Sequence, residues 1–268
     1  MCHRTAAILR LLLMLWGHRT AREWQKSFLE KMEVHEMGRS SHMKRLAMPR
    51  SWPLPRKTSV WVQRPDPCGH SIECCMPVGI ILRDILAIAG TRKEANQIVH
   101  KGIVKVDGNE VKSINRGVGL FDVLTVGDQS YVCIFDKRGR LSYNKIDSKK
   151  AGTKLCRLNG KTTIKGGKTQ LNFHDGRTIL VENSSKENWS TGSTCKINLK
   201  DGSIIETYTA SAGAHCYLTG GNHVGEIATI KEVEIKRSSM PNEVNFEEGF
   251  GTIQEYVMVI PSPDDVPM

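Results

Sequence analysis

The sequence predicts an α+β protein in which two short helices and a tight hairpin precede two β-rich units. Three observations predict it. Ile80, Ile81, Leu82, Ile85, Leu86 and Ile88 form an apolar helical face interrupted by Arg83 and Asp84, and Gly90 supplies a helix stop. Thr91 opens a second helix, since Glu94 three residues on completes a capping box: the hydroxyl accepts from the Glu94 N–H and the carboxylate reaches back to the cap. Beyond Asp128 the pattern changes to short apolar strands between turn dipeptides.

Residues 1–36 are expected to be an N-terminal extension. Ala6 to Trp16 has the look of a signal-peptide core, but Arg10 interrupts it, no small-residue cleavage site follows, and the run is too short to span a bilayer. Met37-Gly38-Arg39 begins a new basic stretch, which makes Met37 a candidate working start and the preceding residues a candidate non-native extension. Residues 37–76 form a basic arm. Pro49, Pro53, Pro55, Pro65 and Pro67 exclude a regular helix there. The expectation is an extended strap that orders against a partner, with Trp52 and Trp61 offered for stacking.

The helix pair and hairpin occupy residues 77–128. Lys101-Gly102 closes the second helix, Ile103-Val104-Lys105-Val106 is a strand, Asp107-Gly108 is a turn, and the chain returns through Val111. A central β domain is expected over 129–212, with Asp175-Gly176 and Asp201-Gly202 as its hairpin turns. A further β unit follows over 213–260, where Gly220-Gly221-Asn222-His223-Val224-Gly225 joins two apolar strands. Residues 261–268 are an acidic tail.

Charge narrows the partner. The chain of 268 residues carries a net charge of +10, which favours an anionic ligand without separating RNA from DNA or a membrane surface. Its distribution is polar: Met37 to His70 holds seven Lys/Arg against one Asp, whereas Pro241 to Met268 holds six Asp/Glu and no Lys/Arg. The eight cysteines lack a disulfide framework and read as reduced thiols. Cys68, His70, Cys74 and Cys75 are zinc-ligand types, but vicinal Cys74-Cys75 chelates poorly and no second Cys-x-x-Cys exists. No metal is therefore expected.

Several segments carry a family resemblance. His42-Met43-Lys44-Arg45-Leu46-Ala47-Met48-Pro49 with Trp52 and Arg56-Lys57 resembles the opening of the archaeal and eukaryotic S-four-e family of small-subunit ribosomal proteins. Leu82-Arg83-Asp84 and Val106-Asp107-Gly108 resemble that family's S-four-type RNA-binding module. Lys154-Leu155-Cys156-Arg157, and Lys165-Gly166-Gly167 through Gln170 to Arg177, resemble its central β domain. Thr219 to Gly225 resembles its KOW turn, and the chain is similar to an archaeal-like member. The resemblance implies an S-four-type αα-hairpin module, a central β domain and a KOW-type SH3-like β-barrel. It also implies small-subunit rRNA and neighbouring small-subunit proteins as partners, in the ribosome of the cytoplasm. Cys68-Gly69-His70 departs from the family's Gly-Pro-His, and Cys74 stands in place of a basic residue.

Candidate RNA-binding residues follow the basic segments. In the arm they are Lys44, Arg45, Trp52, Arg56, Lys57, Arg64 and His70. The helix pair adds Arg83, Arg92, Lys93 and Lys101, where a helix start presents unpaired N–H groups to phosphate. The turns add Lys137, Arg138, Arg140, Lys161, Lys165, Lys168, His174, Arg177, Asn222 and His223. No catalytic residue, cofactor, small-molecule substrate or membrane is expected. Two alternatives use the same module: an RNA-modifying enzyme, or an extra-ribosomal KOW adaptor. The first fails at Gly139-Arg140-Leu141-Ser142, because the catalytic Asp of the similar pseudouridine-synthase signature is here a serine.

Overall fold

The computed structural model describes residues 42–147, 150–182 and 189–263. The chain divides into two units, Met1–Ser41 and His42–Met268, and the described residues all belong to the second. The expectations for the N-terminal extension, the Met37 start and residues 264–268 of the tail lie outside them.

The chain is mixed but mostly β. Helix α1 (Val78–Ile80) widens at once into a π turn over Ile81–Ile85, in which the Leu86 N–H donates to the Ile81 carbonyl at 2.8 Å. Ala87 then takes a positive φ of 51° and Ile88 is exposed. The first helix therefore ends before Gly90, earlier than its apolar spacing predicts. Helix α2 (Arg92–His100) starts where the capping box placed it. Thr91 Oγ1 accepts from the Glu94 N–H at 3.3 Å, while the Glu94 carboxylate reaches one residue past the cap to the Gly90 N–H at 2.8 Å. Asp107 and Gly108 both have positive φ, at 51° and 80°. That is the type I′ geometry which matches strand twist in a two-residue hairpin.

Three five-stranded antiparallel sheets account for most of the strands. The first runs in the order Asn109–Glu110, Val104–Val106, Val123–Val126, Gln129–Phe135, Leu141–Ile146. Its last two strands were expected in the central domain. They instead complete the sheet of the helical module, because the tight turn after Val126 folds Gln129 directly back against it. The central sheet orders Thr178–Glu182, Lys168–Phe173, Thr153–Thr163, Thr194–Asn198, Ile204–Tyr208. The third orders Gly251–Ile253, Glu243–Phe246, Ile227–Glu234, His215–Leu218, Val257–Val259. The central and third sheets each enclose a core of their own, built around Leu158, Leu171 and Ile197 and around Leu218, Ile230 and Val244 respectively.

The arm is part of the first core, which corrects the free-strap expectation. Met43–Lys44 pairs with Trp61–Val62, and Met43, Met48 and Trp52 pack among the apolar residues of the module. Trp52 is only 2% exposed and its Nε1–H donates to the Cys75 carbonyl at 2.9 Å. An indole so placed is unavailable to a base. Arg45 is likewise buried, with Nε on the Pro55 carbonyl at 2.6 Å and Nη1 on Ser59 Oγ. It closes the arm's own turn. The third sheet is pinned to the same core by Tyr217, whose hydroxyl donates to the Phe135 carbonyl and accepts from the Phe135 N–H, both at 2.8 Å.

Candidate nucleic-acid interface

The basic candidates separate into a buried set and an exposed set. Arg92, Lys93, Lys101, Lys137, Arg138, Arg140, Lys161, Lys165 and Lys168 are all exposed, at the ends of α2, at the tip between Phe135 and Leu141, and around the Gly166-Gly167 turn. Lys57 is exposed in the arm, where Arg56 and Arg64 are half-buried. Lys44 lies over the exposed Trp61 ring, 3.8 Å from its centroid. Two exposed candidate sites adjoin. Gly225, at φ 80°, lies so close to the 136–140 tip that a Cβ would sit 2.6 Å from the Asp136 carbonyl oxygen. This contact sets Lys137, Arg138 and Arg140 beside the turn that carries Asn222 and His223. Some candidate side chains are already engaged within the chain: Arg83 with Asp84, Lys168 with Glu182, and His223 with Glu226 while stacked on Phe250.

A second set of charges forms a buried ionic network. Lys154 Nζ meets Asp122 at 2.5 Å, Asp107 at 2.9 Å and Asp175 at 3.0 Å, with the lysine side chain 1% exposed. Arg177 bridges Asp107 at 2.6 Å and Asp175 at 3.0 Å, and His70 Nε2 meets Asp122 at 2.9 Å. Arm, module and central sheet each contribute. His70, His174 and Arg177 were expected to contact RNA directly. The structure corrects this for the two histidines: His70 is committed to Asp122, and His174 Nδ1 accepts from the Arg157 N–H at 3.1 Å. Gly69 permits the convergence, since a Cβ there would lie 1.7 Å from the Asp175 carbonyl oxygen. The cysteine-glycine variant of the arm motif thus packs the arm directly onto the Asp175-Gly176 turn.

The network sets its own ionisation. Burial disfavours the Lys154 ammonium, but Asp122, Asp107 and Asp175 outweigh it and hold the group above the ordinary lysine value. Burial likewise opposes the Asp122 carboxylate, and Lys154 and His70 hold it well below its ordinary value. For His70, burial is outweighed by Asp122 and the imidazole is raised above 6.5. His174, buried and repelled by Lys154, falls to about 4 and stays neutral. Three carboxylates therefore share Lys154, Arg177 and His70, whose protonated form Asp122 favours.

Comparison with known proteins follows this architecture. The family described as Ribosomal family S4e matches residues 127–204, and the RS4NT (NUC023) domain matches residues 37–73. The small ribosomal subunit protein eS4 of Methanothermobacter thermautotrophicus is 40% identical over 237 residues, covering 86% of this chain and 96% of that protein. The chain belongs to the S4e family. The eS4 of Methanococcus maripaludis strain C5 is 38% identical over 240 residues, covering 85% of this chain and 97% of its own. The crystal structure of the 30S ribosomal protein S4e from Thermoplasma acidophilum matches with a TM-score of 0.63 and 32% identity, over 71% of this chain and 96% of that one.

In this S4e chain, sequence reasoning missed Lys154, Asp107, Asp122 and Asp175 as a unit. One signal was present. Along Thr153–Thr163 the buried positions are Lys154, Cys156 and Leu158, so strand alternation puts the lysine in phase with the core. A lysine on a buried face requires carboxylate partners. Ser142, the position where a modifying enzyme would need its carboxylate, instead donates to Asn144 Oδ1 at 2.6 Å.

The cysteines follow their surroundings. All seven described are free thiols, and Cys68 and Cys75 converge beside Gly117. Of the four zinc-type side chains, His70 Nε2 is held by Asp122, and the Cys68 and Cys75 sulfurs lie together beside Gly117. Cys156, His174 and Asp175 do place donor atoms within 4.8 Å of one another. Lys154 and Arg177 already occupy that Asp175 carboxylate, so the cluster is neutralised without an ion. The bond from Cys75 lowers the Cys68 thiol to about 6, while burial pushes Cys133 and Cys216 up. Iodoacetamide at pH 7 is therefore expected to label Cys68 ahead of the other six, as read by peptide mass mapping. Equal labelling of Cys74 would contradict the pairing.

Proposed function

We propose that this S4e chain is a structural constituent of the small ribosomal subunit that binds and stabilises small-subunit rRNA in translation, beside neighbouring ribosomal proteins and in the cytoplasm. The observation that carries the reading is the segregation of cations. Lys154 and Arg177 are locked to carboxylates, whereas Arg92, Lys93, Lys137, Arg138, Arg140 and Lys165 are exposed on turns and at a helix end. Phosphate contacts from such groups supply affinity that falls with salt, and loops read RNA shape more than sequence. Helices α1 and α2 serve as an S-four-type αα-hairpin module, and the third sheet as a KOW-type SH3-like barrel. Residues 153–208 form the central β domain between them.

The test is sedimentation through sucrose in high salt. Persistent co-migration with small subunits is expected, and absence from them would defeat the reading. A finer test is the Arg92→Ala, Lys93→Ala double variant. Its binding to rRNA is expected to lose about one unit of salt slope for each phosphate contact removed. An unchanged slope, measured by filter binding across salt concentrations, would show that α2 faces elsewhere.

A further inference from the structure

A cavity of about 760 Å³ opens where the arm, the module and the central and third sheets meet. Arg157 and Tyr256 form parts of its wall, with Asn159, Asn242, Gln254 and Lys236 around them. Arg157 differs from every cation of the ionic network. Among the described residues, its Nη1 donates to the Glu255 backbone carbonyl and its buried Nε has no hydrogen-bond partner. Burial pulls its pKa below the ordinary arginine value, with Glu255 opposing from a distance. Lys154, three residues back on the same strand and on its other face, has three carboxylates within 3.0 Å. A half-buried guanidinium that faces a polar cavity with no ion-pair partner among the described residues is incomplete, because its desolvation is uncompensated until an anion arrives.

The rest of the wall specifies which anion. Tyr256 is 38% exposed and its ring packs on Gly220, where a Cβ would lie 2.5 Å from the ring. The outer side is left for a planar group. Asn242 Nδ2 donates to Gln254 Oε1 at 2.8 Å and Gln254 Nε2 to the Thr191 carbonyl at 3.3 Å, so fixed amides surround the aromatic wall. A fork of guanidinium donors, an aromatic face and oriented amides fit a phosphodiester with its attached base. A protein carboxylate would satisfy Arg157 but leave the aromatic wall unused. We propose that this cleft takes one RNA nucleotide extruded from its strand, with the phosphodiester on Arg157 and the base against Tyr256. The inference rests on the RNA-binding reading above and adds the site within it.

The experiment uses the full chain and deproteinised small-subunit rRNA, with filter binding at fixed salt and chemical probing at nucleotide resolution. Arg157→Gln is expected to weaken binding about 10-fold and to expose one or two nucleotides that the wild type protects. Tyr256→Ala is expected to expose the same nucleotides, and it decides alone should Arg157→Gln fail to fold. The Arg92→Ala, Lys93→Ala variant is expected to bind more weakly while still protecting them. Unchanged protection in both cleft variants overturns the proposal alone. So does loss, in Arg157→Gln, of a cross-link to a neighbouring protein in reconstituted subunits while RNA protection persists. Failure of the wild type to bind rRNA overturns the RNA reading and this proposal with it.

Discussion

Replacing Lys154 by methionine is expected to lower the free energy of unfolding by about 3–5 kcal/mol, because it strands buried carboxylates without their cation. Asp122, Asp107 and Asp175 all lie within 3.0 Å of the ammonium and are 9% exposed or less. Arg177 neutralises two of them only in part, and Asp122 keeps His70 and the Gly119 N–H. Urea unfolding measures the loss, and its pH dependence identifies the cause. In the wild type, Asp122 and Asp175 lie below their ordinary value of 3.8, so their stabilisation is present above that pH and lost as pH falls through the folded values. His70 is raised above 6.5, so its contribution is complete below 6.5 and lost as pH rises through the folded value. The network thus stabilises most between about 4 and 6.5. In Lys154→Met the remaining carboxylates are favoured as neutral acids by burial, so acid relieves rather than weakens the fold. The gap between variant and wild type is expected to narrow toward pH 4. A pH-independent gap would assign the loss to packing instead of charge.

Local chemistry made much of this architecture legible in the sequence. Thr91 and Glu94 define a helix start by spacing alone, and Asp107-Gly108, Asp175-Gly176 and Asp201-Gly202 mark turns because few other dipeptides accept positive φ there. What those turns do besides turning was not legible. Asp107 and Asp175 are 68 residues apart in sequence, yet both reach Lys154 Nζ, a convergence that depends on the Gly69 approach and the packing of two sheets. The end of α1 was missed for a related reason: Ile85, Leu86 and Ile88 keep an apolar helical rhythm, but the π turn at Ile81–Ile85 rotates Ile88 into solvent. Periodicity assumes a constant pitch, and the pitch changes here. Among candidate RNA contacts, sequence located the cations but not their depth. Arg45 and Arg140 both sit in basic segments; only one is exposed.

The same limit applies to the two tryptophans of the arm, and their substitution separates the two roles. Trp52→Ala is expected to destabilise the fold by about 3–5 kcal/mol, the range for deleting a buried large aromatic. It removes a side chain packed among Met43, Met48 and the module core, together with the donor to Cys75. Trp52→Phe keeps most of the apolar volume but leaves the Cys75 carbonyl without its indole donor, for a loss of about 1–3 kcal/mol. Trp61→Ala is expected to leave the melt nearly unchanged, since that ring is 54% exposed and its ring contacts among the described residues are the arm's His42 and Lys44. If RNA affinity depends on an arm tryptophan, Trp61→Ala lowers it at constant thermal midpoint. Trp52→Ala lowers the midpoint first. An arm that served purely as a ligand strap would reverse this order: deletion of residues 42–67 would spare cooperative melting. Because Met43, Met48 and Trp52 fill the core of the module, that deletion is expected to abolish the cooperative transition. The arm acts as both a structural layer and a presenter of Lys44, Lys57 and Trp61, so loss of RNA affinity after deletion is meaningful only beside a melt, whereas Trp61→Ala reports on recognition by itself.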